Sequence, residues 1–244
     1  MSGIKMILEY LRQLNTASIC IRMVMAILFG GLIGLEREYK RRPAGFRTYM
    51  LVCLGASLTM MISQYEYVMM ETQWKEIAME TGARTDVSRF GANVINGIGF
   101  LGAGTIILTK HNEIKGTTTA AGLWASACMG LAIGAGFYEC VILGFILIFL
   151  CFKVFPIIEN NMVEKSRNMN IYIELFSAAN INLVLDKLIN MDIKIYEVNL
   201  ENHFELEKHC FAVVMALRLP KKMRHTRLIS EISGVKGVLK LDEI

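Results

Sequence analysis

The sequence predicts an α-helical membrane bundle of about five transmembrane helices, followed by a small soluble α+β domain. Three observations predict it. Of 244 residues 54 % are hydrophobic, and the mean hydropathy of +0.42 is too high for an ordinary soluble chain. The apolar excess sits in the first part. From Asn93 to Phe155 the ionisable side chains other than Cys and Tyr are Lys110, His111, Glu113, Lys115, Glu139 and Lys153, whereas charges recur every few residues after Glu159. From Asn168 the pattern shortens to the alternation of strands. Residues 1–160 and 161–244 are the expected domains.

A helix crossing about 30 Å of hydrocarbon needs roughly 20 apolar residues, because lipid offers no water to an open backbone. Five stretches come near that length: Thr16 to Leu35, Thr48 to Ser63, Asn93 to Thr109, Gly116 to Ala135 and Phe137 to Phe155. The first runs into a charged block rather than a small-residue cleavage site, so it is expected to be retained rather than removed as a signal peptide. Short loops rich in Lys and Arg are held on the cytoplasmic side. Arg37, Lys40, Arg41, Arg42 and Arg47 separate the first two stretches, and Lys110 and Lys115 the third and fourth. Five crossings then place the amino terminus outside and the carboxyl terminus in the cytoplasm. The longer connection from Gln64 to Ala92 carries Glu66, Glu71, Glu76, Glu80 and Asp86, as suits the outer side. Within it Tyr67, Met70, Trp74 and Ile77 fall at helical spacing, a pattern that fits a short helix in the headgroup region or a solvated polar face.

After Asn168 the order reads strand (Asn170 to Phe176), helix (Asn182 to Asn190), two strands (Ile193 to Leu200, Phe211 to Leu217), helix (Lys222 to Ser233) and strand (Val235 to Leu241). That succession is the ferredoxin-like split βαβ arrangement.

Glycines recur where helices should meet. Gly30 with Gly34, and Gly130 with Gly134, have the four-residue spacing that lets two backbones approach. Gly97, Gly99, Gly102 and Gly104 are denser still. They serve either close packing, within the bundle or across a dimer, or a locally unwound helix lining a solute path. No soluble strand precedes them and no acid follows at the right distance, which excludes a dinucleotide site. Asn93 and Asn96 add polar groups to that stretch. Arg22, early in the first helix, is expected to snorkel to the surface. Asp86 and Arg89 stand three apart ahead of the third stretch, on one helical face. Thr117, Thr118 and Thr119 open the fourth helix, as a cap or as hydroxyls for an anionic group.

The six cysteines lie mostly in apolar stretches, which excludes a disulfide framework or zinc site. His203, His209 and Cys210 gather around the hairpin of the tail, but three candidate ligands on a turn fix no metal geometry. The net charge of +4 reflects cations at the ends of apolar segments, so no nucleic-acid partner is expected. No nucleophile–base pair, paired acids or metal cluster points to an enzyme, and no cofactor is implied.

Taken in order, Gly-Leu-Ile-Gly-Leu-Glu-Arg-Glu (31–38), Gly-Phe-Arg-Thr (45–48), Asp86 with Arg89, Asn-Gly-Ile-Gly-Phe-Leu-Gly-Ala-Gly-Thr-Ile (96–106) and Gly-Thr-Thr-Thr-Ala-Ala-Gly-Leu-Trp (116–124) closely resemble the MgtC/SapB family of bacterial inner-membrane proteins. The match covers roughly residues 20–136. The resemblance implies a multi-pass protein with a cytoplasmic ACT-like tail, associated with growth at low magnesium and, in some pathogens, with virulence. Some members are described as inhibiting the proton-driven ATP synthase. By motif it singles out Glu36, Arg37, Arg47, Asp86, Arg89, Asn93 and Thr118 as ion-pair or partner-binding residues. The tail lacks the Gly-bearing turn of amino-acid-binding ACT domains, reading Phe-Ser-Ala-Ala-Asn-Ile-Asn at 176–182, so pairing between tails is expected rather than a small-molecule effector. The expected function is that of a non-enzymatic, self-associating regulator acting on a membrane partner. The alternative is a transporter or channel for magnesium or another cation.

Overall fold

The computed structural model describes residues 2–109, 114–177, 179–203, 210–220 and 223–243. Two compact units result, Met1–Pro156 and Ile157–Ile244. Lys110, His111, Glu113 and His209, invoked above, lie outside the described residues, as do the side chains of His203 and Cys210.

The first unit opens with α1 (Ser2–Arg12), a helix ahead of the Thr16 stretch that the apolar pattern does not indicate. Then come α2 (Thr16–Tyr39), α3 (Phe46–Glu71), a short α4 (Lys75–Thr81) and α5 (Val87–Ala103). A small hairpin of β1 (Ile107–Leu108) and β2 (Ile114–Lys115) leads to α6 (Thr117–Gly134) and α7 (Tyr138–Lys153), after which α8 (Phe155–Lys165) begins. Thr16–Tyr39, Phe46–Glu71 and Tyr138–Glu159 are each long and apolar enough to cross a membrane.

Several ends differ from the apolar stretches, for local reasons. Asn15 caps α2 by accepting the Ser18 amide at 2.8 Å, and a Glu36–Lys40 pair at i,i+4 carries the helix through its charged end. Tyr67 and Met70 belong to the last turns of α3, so the separate helix of that connection is only Lys75–Thr81, stopped by left-handed Gly82. Asp86 accepts the Ser88 amide and starts α5 earlier than the apolar run does. Thr105–Thr109, expected to be helical, instead turns into the hairpin. Gly116, at φ +100°, makes that possible, because a side chain there would strike the Thr105 carbonyl.

Glycines set the spacing of the bundle. A Cβ on Gly30 would lie 2.7 Å from Cys53 Cβ, and one on Gly34 2.7 Å from Phe46 Cα, so α2 and α3 touch backbone to backbone in antiparallel register. On the other flank of α3, Gly130 abuts the Cys53 carbonyl and Gly134 the Ser57 carbonyl, which makes α3 and α6 parallel neighbours. Gly102 rests on Ala120 with Cβ distance 3.5 Å, so α5 runs antiparallel to α6. Ala26, Ile33, Tyr49, Cys53, Ala56, Leu123, Ala127, Ile133 and Val141 fill the middle.

The second unit comprises β3 (Asn168–Leu175), α9 (Asn180–Asn190), β4 (Lys194–His203), β5 (Cys210–Arg218), α10 (His225–Ser233) and β6 (Val238–Glu243). Its sheet has the order β4-β5-β3-β6, all antiparallel, which is the ferredoxin-like arrangement. Ile171, Ile173, Leu175, Val213, Met215 and Leu217 alternate onto one face and pack with Val184 and Leu188 of α9 and Leu228 and Ile232 of α10. Buried His225 ties three places together: one ring nitrogen lies 2.6 Å from Glu243 Oε1 and the other 2.9 Å from the Ser166 carbonyl. The last strand starts at Val238 rather than Val235, because Gly237 at φ +97° and the Val238 amide to the Val235 carbonyl first make a turn.

Candidate functional site

Polar side chains of the bundle gather at its two ends. They are separated along α3 by about 25 Å, the rise of the 17 residues from Tyr49 to Glu66.

At the first end, α2 finishes on Glu36, Arg37 and Lys40. Arg37 is 4 % exposed, an unusual state for a guanidinium, and the helices around it supply its partners. Its Nη2 donates to Thr119 Oγ1 of α6 at 3.3 Å, its guanidinium lies 4.7 Å from the centre of the Phe152 ring of α7, and Glu36 Oε2 is 3.8 Å from Nη1. Lys40 Nζ binds Glu36 Oε1 at 2.6 Å and the Phe152 carbonyl at 3.0 Å. The Tyr49 hydroxyl of α3 donates to the Thr119 carbonyl at 3.3 Å. One acid and two bases from α2 thus clamp α3, α6 and α7. Burying such charges costs several kcal/mol per ion unless partners compensate, and a cation over an aromatic face returns about 0.5–2 kcal/mol.

At the second end, Arg22 is wholly buried rather than snorkelling. The carbonyls of Leu11 and Arg12 ending α1 and of Gly134 ending α6 converge on it, together with Gln64 Oε1 of α3, at 2.6–3.0 Å. A cation there meets the negative ends of two helix dipoles, which is more favourable than reaching for water. Beside it lies a pocket of about 230 Å³ lined by Glu66, Arg84, Thr85, Asp86, Arg89, Phe90 and Asn93. Hydrogen bonds from the Ser88 hydroxyl and amide hold the Asp86 carboxyl below its usual range, and the charge of Arg89 adds to them.

The sequence candidates therefore divide. Glu36 and Arg37 meet at the first end; Asp86, Arg89 and Asn93 line the pocket at the second. Arg47 and Thr118 are exposed and join neither. Thr119, about 100° further round α6, takes the place expected of Thr118. In the sequence Tyr49 does not stand out, and Lys40, Glu66 and Arg84 register only as charges of the connections. Of these only Lys40 left a signal, the i,i+4 spacing from Glu36.

The glycine-rich stretch of α5 behaves differently from the other glycines. Its inward face is Gly91, Ile98 and Gly102, whereas Asn93, Asn96, Gly97 and Phe100 are exposed, with nothing within 4 Å of a Cβ on Gly97 or Gly99. Gly104 meets only carbonyls of its own helix.

The model of the MgtC family matches residues 23–161, more than half of the chain, from within α2 to the end of the bundle. The chain belongs to the MgtC family. Relatives within and around that family extend the likeness. "Putative magnesium transporter YhiD" of Escherichia coli (strain K12) is 32 % identical over 91 % of this chain and 98 % of its own length. "Protein SapB" of Bacillus subtilis (strain 168) is 27 % identical over 91 % of this chain and 93 % of its own. "Protein MgtC" of Brucella abortus (strain 2308) is 39 % identical over 46 % of this chain and 40 % of its own. Among solved structures, the C-terminal domain of the MgtC protein from Mycobacterium tuberculosis aligns with 33 % of this chain and 88 % of that one, at 13 % identity and TM-score 0.27. The second unit's architecture rests on its own strand order instead. Both polar ends lie within the segment that the MgtC family model covers, apart from Arg12 and Arg22.

Proposed function

We propose that this MgtC-family membrane protein is a non-enzymatic regulator of growth at low magnesium, working by helix contacts with a second membrane protein. The observation that carries the reading is the outward face of α5. Asn96, Gly97 and Phe100 share one exposed face, with Asn93 one turn earlier at the edge of the Asp86 pocket. Amides turned toward lipid are costly, whereas small residues and amides are what one transmembrane helix offers another. The middle of the bundle, filled by apolar side chains and closed by backbone contacts at Gly30, Gly34, Gly130 and Gly134, supports regulation over conduction.

The partners are a second copy of the chain and an energy-converting complex such as the ATP synthase. The Lys and Arg residues at the Arg37 end support a topology with that end on the cytoplasmic side of the bacterial inner membrane, the amino terminus outside and the tail inside. A photo-reactive residue at Asn96 in cells grown without added magnesium tests the reading: cross-links to a defined membrane protein, lost with Gly97→Leu, are expected. Capture of lipid alone would overturn it. One observation favours a second reading, cation transport: Glu66, Asp86 and Asn93 share a pocket, and a relative bears the name putative magnesium transporter. Magnesium flux into proteoliposomes that falls with Asp86→Asn would establish it instead.

A further inference from the structure

α1 carries an assignment that neither the family match nor the proposed function makes, since the matched segment begins only at residue 23. At 3.6 residues per turn its side chains sort into three arcs. Lys5, Glu9 and Arg12 share one; Leu8 and Leu11, both half-buried, share the second. Met6, Ile7 and Tyr10 form the third and are 69 %, 62 % and 54 % exposed. In a helix of 11 residues, too short to cross a bilayer, this arrangement has a charged side, a side against protein and a bare apolar side.

The depth of α1 is fixed by its end. Its last carbonyls are all held: Asn15 Nδ2 donates to Tyr10 O, Ser18 Oγ, Arg22 Nη2 and Tyr138 Oη donate to Leu11 O, and Arg22 Nη2 also donates to Arg12 O. Arg12 is further paired with Glu139 at the first turn of α7. These anchors lie where α2 and α7 begin, at the rim of the spanning helices. The first half of α2, which follows, exposes Ile21, Val24 and Leu28. α1 is thus tethered at the level where a spanning α2 would enter the bilayer, with its bare side left uncovered by protein.

We propose that α1 lies in the plane of the bilayer surface at the Arg22 end of the bundle, with Met6, Ile7 and Tyr10 seated in the boundary between headgroups and acyl chains. Its occupant is lipid, and no second protein is required. Arg22 then joins a lipid-seated helix to the carbonyl end of α6 and to Gln64 of α3.

The test places a benzophenone amino acid singly at positions 5, 6, 7, 9 and 10 of the full chain, reconstituted in phosphatidylethanolamine and phosphatidylglycerol vesicles. Mass spectrometry after irradiation is expected to find lipid adducts at 6, 7 and 10, several-fold above those at 5 and 9. Equal yields at all five positions, or cross-links to a second copy outnumbering lipid adducts at 6, 7 and 10, would overturn the proposal. The result is independent of what binds α5, so failure here leaves the proposed function standing.

Discussion

Arg22 and Arg37 are the two buried cations of the bundle among the described residues, and they differ in what neutralises them. Arg37 faces a carboxylate, a hydroxyl and a ring; Arg22 faces carbonyls and one amide. Arg22→Met would take their donor from the Arg12 and Gly134 carbonyls and from Gln64 Oε1, while Leu11 O keeps Ser18 and Tyr138. The expected loss is about 1–3 kcal/mol, the cost of leaving buried acceptors unsatisfied. Thermal unfolding in mild detergent should register it, together with faster hydrogen exchange in α1. Arg22→Lys should recover only part, because an ammonium lacks the planar fork that reaches carbonyls on separate helices. At this scale the sequence was least legible. A buried Arg and a snorkelling Arg look alike in a row of letters, and in the Thr117–Thr119 run only the helical phase decides that Thr119, not Thr118, reaches Arg37.

Among elements, the glycines separate into two kinds that spacing alone could not distinguish. Gly130 lies against the Cys53 carbonyl, whereas among the described residues nothing beyond its own helix backbone comes within 4 Å of a Cβ on Gly97. Gly130→Ala should therefore push α6 from α3 and destabilise the bundle by about 1–3 kcal/mol, the usual cost of overpacking. Gly97→Ala, meeting open space inside α5, should not lower the melting temperature and should raise it slightly, and any loss it causes should appear in partner cross-linking. The start of α2 after Asn15 was legible, whereas α5 begins at its Asp86 cap, ahead of the Asn93 that the apolar run suggests. The end of α2 was illegible because the helix runs through charged residues. In the tail, α9 and α10 are joined by Lys187 and Glu231 at 2.8 Å, and the hydrogen bond from Lys187 holds the Glu231 carboxyl below its ordinary range. Because the folded form binds that proton less well than the unfolded chain, the stabilisation is complete above the ordinary Glu pKa. It disappears as pH falls through the lowered one. Hydrogen exchange of α9 and α10 should accelerate over that acid interval in the wild-type chain and lose the added dependence in Glu231→Gln.

Over the whole molecule, the division into a membrane bundle and a ferredoxin-like unit was legible because it depends on coarse quantities: the length of apolar runs and the change of period after Asn168. What was illegible is the pairing of elements distant in the chain. Nothing local tells Tyr49 that it will meet Thr119, or Leu11 that it will meet Tyr138. The glycine seams on both flanks of α3 have a mechanical consequence. With backbone against backbone, α2, α3 and α6 have no slack, and sliding any one of them by a residue would drive carbonyls into α-carbons. The three helices move as a plate, and motion that links one face of the membrane to the other must fall to α5 and α7, which are seated on that plate by softer side-chain contacts.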